Sequence, residues 1–237
     1  MGDYYMLVVN ASNIEKDFNW IKENIGDLDA ELTDVSDRIN LLAVQGPDSV
    51  ATLQKLTENN LSDIKFYNYE KGSLAGVDMI LSRTGYTGEL GFELYFEGGE
   101  DLARKVWDAI MEAGEEFGIE PVGLGSRDTL RLEKGYCLYG NDIDQTTNTI
   151  EAGLGWITKA DKGDFNGKPA IVKTKEEGIR RKLVGFIMQD RGLIPRKGYP
   201  ITVKGRELGS VTSGNMSPML NKPIGMGYVD KGHKAPG

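Results

Sequence analysis

The chain has 237 residues, 39% of them hydrophobic and 27% charged, a composition that fits one large globular domain or two smaller ones. Its net charge of −8 argues against a general nucleic-acid or membrane-surface binder, since both need a basic face, but leaves room for an anionic small ligand held by one or two arginines. One cysteine, Cys137, excludes an internal disulfide, and one histidine, His233, is too few for a Cys/His zinc site and a poor basis for a histidine triad.

Taken in chain order, "DYYMLVVNAS" reads as a strand ended by Asn10 and Ser12. Ser12 or Asn13 is placed to cap a helix whose buried stripe is Ile14, Phe18, Ile21 and Ile25, with Gly26 as its stop. "RINLLAVQG" is the next strand. Pro47 then opens a short helix carrying Val50, Leu53 and Leu56 inward. "KGSLAGVDMILSRTG" and "GFELYFEGG" read as strands. A helix follows with Leu102, Val106, Ile110 and Trp107 inward, and "GSRDTLRLEKG" is a further helix ending at Gly135. After about Lys175 short strands alternate with Gly, Pro and Asn, as in a small barrel or sandwich, and "KTKEEGIRRK" reads as the solvated linker before them. The fold class expected is α+β, divided at 1–175 and 178–237.

"RTGYTGELGFE", residues Arg83 to Glu93, has glycines at every third position, which suits neither strand nor helix. No lysine or helix start follows it, so it is not a phosphate loop. The simple reading is a hairpin whose glycines supply positive φ. Glu93, between Phe92 and Leu94, points away from their face, toward solvent or toward a site. Arg127 and Arg131 are four apart on one helical face. Arg127 lies in the first turn, where the helix dipole opposes a cation, so it needs an anionic partner. Asp128, Glu133, another carboxylate or a ligand carboxylate would serve, and an internal partner is favoured on the residues alone. Asp142 and Asp144 begin like a calcium loop but lack the Gly and Glu that complete one, so a loop or capping role is expected. Trp20, Trp107 and Trp156 are expected in the core, and Cys137 as a buried thiol.

Six segments in order, "VVNASNIEKDFNWI", "LLAVQGP", "SRTGYTGELGFE", "GLGSRDTLRLEKGYCLYGNDID", "EAGLGWITK" and "VTSGNMSPML", closely resemble the aminomethyltransferase (T-protein) family of the glycine cleavage system. The resemblance implies two folate-binding α/β lobes and a C-terminal β-barrel. It implies transfer of a one-carbon unit from an aminomethyl group on a lipoylated carrier protein to tetrahydrofolate, with ammonia released and no metal. Glu93 then matches the glutamate that holds the pterin, whose paired N–H donors suit a carboxylate. Arg127 matches the arginine that meets the folate's glutamyl carboxylates. Tyr86 is placed to line the cavity, and Asn10 matches an asparagine near the reacting end. No nucleic acid or membrane partner is expected, and the compartment expected is the cytoplasm, with a mitochondrial location left open.

The family's catalytic aspartate lies in an "Asp-Asp-Leu" segment before the strand that opens this chain, and no residue here matches it. The last strands of the family's barrel are also unmatched. The expectation is therefore a piece of a T-protein, without an N-terminal segment and the last strands, and inactive alone. Related alternatives are the folate domain of a dimethylglycine or sarcosine dehydrogenase and a folate-dependent demethylase. A non-enzymatic folate-binding helper of iron–sulfur assembly is the alternative of another class.

Overall fold

The computed structural model describes residues 4–190 and 192–233. They form two compact units: Met1–Gly85 with Glu89–Glu120, and Tyr86–Gly88 with Pro121–Gly237. The boundary expected near 175–178 falls within the second of these.

In the first unit, helix α1 (Ile14–Asn24) is followed by strand β1 (Ile39–Gln45), helix α2 (Ser49–Gln54), strands β2 (Tyr69–Leu74), β3 (Val77–Ser82) and β4 (Gly91–Glu97), and helix α3 (Glu100–Gly114). The sheet order is β1-β4-β3-β2, antiparallel throughout. Alternation along the strands sends Val77, Met79 and Leu81 of β3, and Phe92, Leu94 and Phe96 of β4, into one core. Leu53 of α2 and Val106 and Ile110 of α3 join the same core. Burying each such side chain is worth about 1.5–3 kcal/mol. The face of β4 opposite the core carries Glu93 and Tyr95.

Several expectations change here. The run "KGSLAGVDMILSRTG" is not one strand but parts of two, folded back at Ala75 and Gly76, whose φ values of 52° and 74° make the tight turn. Residues 4–10 form no strand, because among the described residues no neighbouring strand pairs with them; Tyr5 is 95% exposed. The stripe Ile14, Phe18, Ile21 and Ile25 is only half-buried, and neither Ser12 nor Asn13 caps α1 with its side chain. Pro47 precedes α2 rather than opening its first turn. Trp20, Trp107 and Trp156 are 52%, 43% and 65% exposed, so none is a core residue.

In the second unit, helices α4 (Leu124–Glu133) and α5 (Lys168–Glu177) precede strands β5 (Arg181–Ile187), β6 (Pro200–Val203), β7 (Arg206–Ser217) and β8 (Lys222–Asp230). The sheet order is β5-β8-β7-β6, all antiparallel. Leu132 of α4 packs with Leu183, Ile224, Met226 and Tyr228 of the sheet, and Cys137 lies half-buried against them. The expected linker "KTKEEGIRRK" is instead the end of α5 and the start of β5, with Gly178 as the helix stop. Gly135, with φ 75°, ends α4 as expected.

Candidate functional site

The stretch "RTGYTGELGFE" connects β3 to β4, and its middle residues, Tyr86–Gly88, belong to the second unit. Of its three glycines only Gly88 has positive φ, 80°. The expected explanation therefore holds for Gly88 alone. Gly85 and Gly91 instead make room for a close approach: a Cβ at either would overlap the side-chain amide of Gln45, which would have to shift. That amide donates from Nε2 to the carbonyls of Thr84 (3.2 Å) and Phe92 (3.1 Å), so β1 clamps both ends of the turn.

In the first unit, Glu93 is half-buried on β4, flanked by Ala43 of β1 and Ser82 of β3. Tyr95 Oη donates to Glu93 Oε2 at 3.0 Å. Burial, and next the Glu93 charge, push the Tyr95 phenol far above its ordinary range, so it stays a hydrogen-bond donor. One Tyr95 bond leaves most of the carboxylate's acceptor capacity for another donor pair. Asn10 is exposed; its carbonyl accepts the Asn13 amide at 2.8 Å and its side chain caps nothing. No hydrogen bond joins Asn10 to Glu93.

In the second unit the structure brings Tyr86 and Arg127 together. The Arg127 guanidinium lies over the Tyr86 ring, 4.4 Å from its centroid. Tyr86 is stacked on Tyr136, with centroids 5.7 Å apart and planes at 24°. The Tyr86 hydroxyl donates to the Cys137 carbonyl. Burial raises the Tyr86 phenol above its ordinary value, with Arg131 and Arg127 opposing. The internal carboxylates considered for Arg127 are engaged elsewhere: Asp128 accepts Arg131, and Glu133 accepts the Ser217 hydroxyl and the Met219 amide. Arg127 is exposed and forms no ion pair among the described residues.

Sequence reasoning missed the group beneath. Arg131 is 1% exposed and donates to Asp128 (2.8 and 2.6 Å), to Asp142 Oδ2 (2.6 Å), to Ser213 Oγ (3.0 Å) and to the Tyr136 carbonyl (3.2 Å). Asp142, expected in a loop or capping role, is a buried anion opposite this buried cation. Such a pair is tolerable only because hydrogen bonds satisfy both ends. The one available signal was the Asp128–Arg131 spacing of three residues on a helix. Nothing in the sequence marked Asp142 as buried: beside the nearby Leu138 amide, its hydroxyl donors lie some seventy residues away in Thr212 and Ser213.

Among the described residues no group of His, Cys, Asp and Glu is arranged to hold a metal, and no helix is long and apolar enough to cross a membrane.

Comparison with known proteins places these features in context. Residues 1–162 match the family model described as the GCVT N-terminal domain, and residues 181–237 match that of the glycine cleavage T-protein C-terminal barrel domain. An aminomethyltransferase of Halothermothrix orenii is 57% identical over 99% of this chain and 65% of its own length. One from Bacteroides fragilis is 58% identical over 95% of this chain and 62% of its own length. The crystal structure of glycine cleavage system aminomethyltransferase T from Bartonella henselae superimposes with a TM-score of 0.85 at 33% identity, covering 96% of this chain and 61% of that one. The chain thus spans less than two thirds of the length of the curated relatives it matches.

Proposed function

Because the chain belongs to the glycine cleavage T-protein family, we propose that it carries the folate-binding part of an aminomethyltransferase, which accepts a one-carbon unit from a lipoylated carrier protein onto tetrahydrofolate and releases ammonia. The observation that carries this reading is Glu93. It is a half-buried carboxylate on a sheet strand, turned off the core face and steadied by Tyr95. Its spare acceptor sites fit the paired donors on the pterin edge of tetrahydrofolate.

Arg127 takes the glutamyl carboxylates in the same reading. With its carbon 4.4 Å from the Tyr86 ring centroid and no ion pair among the described residues, the guanidinium has N–H donors to offer a carboxylate in a bidentate contact. Tyr86 lines the ligand's path, and Asn10 contributes near the reacting end. The proposal concerns binding, to which Glu93, Arg127, Tyr86 and Asn10 are assigned. Residues 1–175 are taken as the folate-binding region and 178–237 as the barrel domain. The cytoplasm is the proposed compartment, on the strength of the bacterial relatives. The relatives' names favour the aminomethyltransferase over the dehydrogenase, demethylase and iron–sulfur helper readings.

Anaerobic titration of the full chain with tetrahydrofolate tests the proposal. Saturable binding that is weakened in Glu93→Ala is expected. No saturable binding to the folded chain refutes it. Incubation with aminomethyl-loaded carrier protein then reads ammonia release.

A further inference from the structure

Asp142 holds more ties than a loop cap requires. It is buried, and it accepts four donors: Arg131 Nη1 and Leu138 N at Oδ2, and the hydroxyls of Thr212 and Ser213 at Oδ1. Thr212 and Ser213 are consecutive on β7. On a regular strand their side chains would point to opposite faces. The register shift between Val211 and Ser213 lets both reach one carboxylate. The sheet is thus bent locally at the point where this group is held.

The other ties lead outward. Oδ2 accepts the Leu138 amide at 2.9 Å, and Arg131, itself held by Asp142, donates to the Tyr136 carbonyl. The backbone from 136 to 138 is thereby fixed at both ends. That short piece supplies both supports of Tyr86, namely the Tyr136 ring stacked on it and the Cys137 carbonyl that accepts its hydroxyl. The Tyr86 ring in turn carries the Arg127 guanidinium. Arg127 sits where the helix dipole opposes it, on a long side chain with much rotamer freedom to lose. The Tyr86 ring is the one support it has among the described residues.

We propose that Asp142 is a positioning residue for Arg127: through Arg131 and the 136–138 backbone it holds the Tyr86–Tyr136 stack on which Arg127 lies, so that the guanidinium is presented ready-placed to an anionic ligand. Its consequence for ligand affinity rests on the reading of Arg127 as the contact for the folate's glutamyl tail.

Two measurements on the full chain separate the two claims. Modification of Arg127 by phenylglyoxal, located by peptide mass spectrometry, reads the freedom of the guanidinium with no folate present. Asp142→Asn should raise its rate by about two- to tenfold, the lower part of the range for coupled neighbours. Thr212→Val, which removes one donor and keeps the volume, should raise it less. The second measurement is the preference for polyglutamylated over monoglutamylated tetrahydrofolate. It should fall in Asp142→Asn, and that fall should vanish when Arg127→Ala is already present. A purely structural role predicts lower thermal stability with the preference and the Arg127 rate unchanged. Folded Asp142→Asn and Thr212→Val with the parent's Arg127 reactivity overturn the proposal; if Asp142→Asn does not fold, Thr212→Val decides alone. If Arg127→Ala itself leaves the preference intact, the folate reading of Arg127 falls, and the reactivity still decides the positioning.

Discussion

Replacing Glu93 by glutamine separates the two tasks assigned to this side chain. In the folded protein one carboxylate oxygen accepts the Tyr95 hydroxyl at 3.0 Å. Glutamine keeps one oxygen, enough for Tyr95, but turns the other acceptor into an NH₂ donor facing the donors of the pterin. One charge-assisted hydrogen bond is lost, worth about 1.5–3 kcal/mol, which is a loss of about ten- to hundredfold in tetrahydrofolate affinity. Thermal stability without ligand should stay within about 0.5 kcal/mol of the parent, because no buried group is left unpaired. Glu93→Ala is different. It strands the Tyr95 hydroxyl on a residue only 8% exposed, adding a stability cost of up to about 1–3 kcal/mol. Anaerobic calorimetry with tetrahydrofolate, beside thermal unfolding of the free proteins, reads both effects. Parent-like affinity in Glu93→Gln would refute the assignment of Glu93 to the ligand. Equal loss of stability in the two variants would refute the account of Tyr95.

Three further outcomes are expected. Arg127→Ala should weaken polyglutamylated tetrahydrofolate more than a bare pterin in competition binding, and equal losses would place Arg127 outside the site. Leu81→Ala, at a fully buried position of β3, should cost about 2–5 kcal/mol in urea unfolding, and a cost below about 1 kcal/mol would contradict the packing described. Burial, and next the charge of Glu151, push Tyr228 from its ordinary 10.0 up to about 12. The unfolded chain then ionises first, so this contribution to stability is full below pH 10 and declines up to about pH 12. Tyr228→Phe should flatten that decline in urea midpoints, and an unchanged slope would assign it elsewhere.

How much was legible in the chain differs from element to element. The Phe92–Leu94 face of β4 and the Leu102, Val106 and Ile110 stripe of α3 could be read in advance, because a period of two or of 3.6 is a local property of the residues. The run at residues 4–10 has the same local character and forms no strand, since pairing needs a neighbour that composition cannot supply. The tryptophans were misplaced for a related reason: size and apolarity set a tendency to be buried, and packing decides which rings are covered. The candidate site follows the same division. Glu93 stood out as a carboxylate in an apolar run, and Arg127 as a cation at the wrong end of a helix. That Tyr86 supports Arg127, while Glu133 and Asp128 are occupied elsewhere, depends on contacts beyond the motif itself.

What the sequence determined by itself was the α+β class, the family, and the residues worth suspecting, all properties of local pattern and ordered motifs. What only the tertiary structure decided was the use of each polar group. Gly85 and Gly91 are small because Gln45 must pass between the ends of the turn, while Gly88 alone needs its backbone freedom. Arg131 and Asp142 meet directly at 2.6 Å, and the register shift on β7 lets Thr212 and Ser213 reach the same carboxylate. A buried charge is stable only when every donor and acceptor around it is met, and those partners come from segments far apart in the chain.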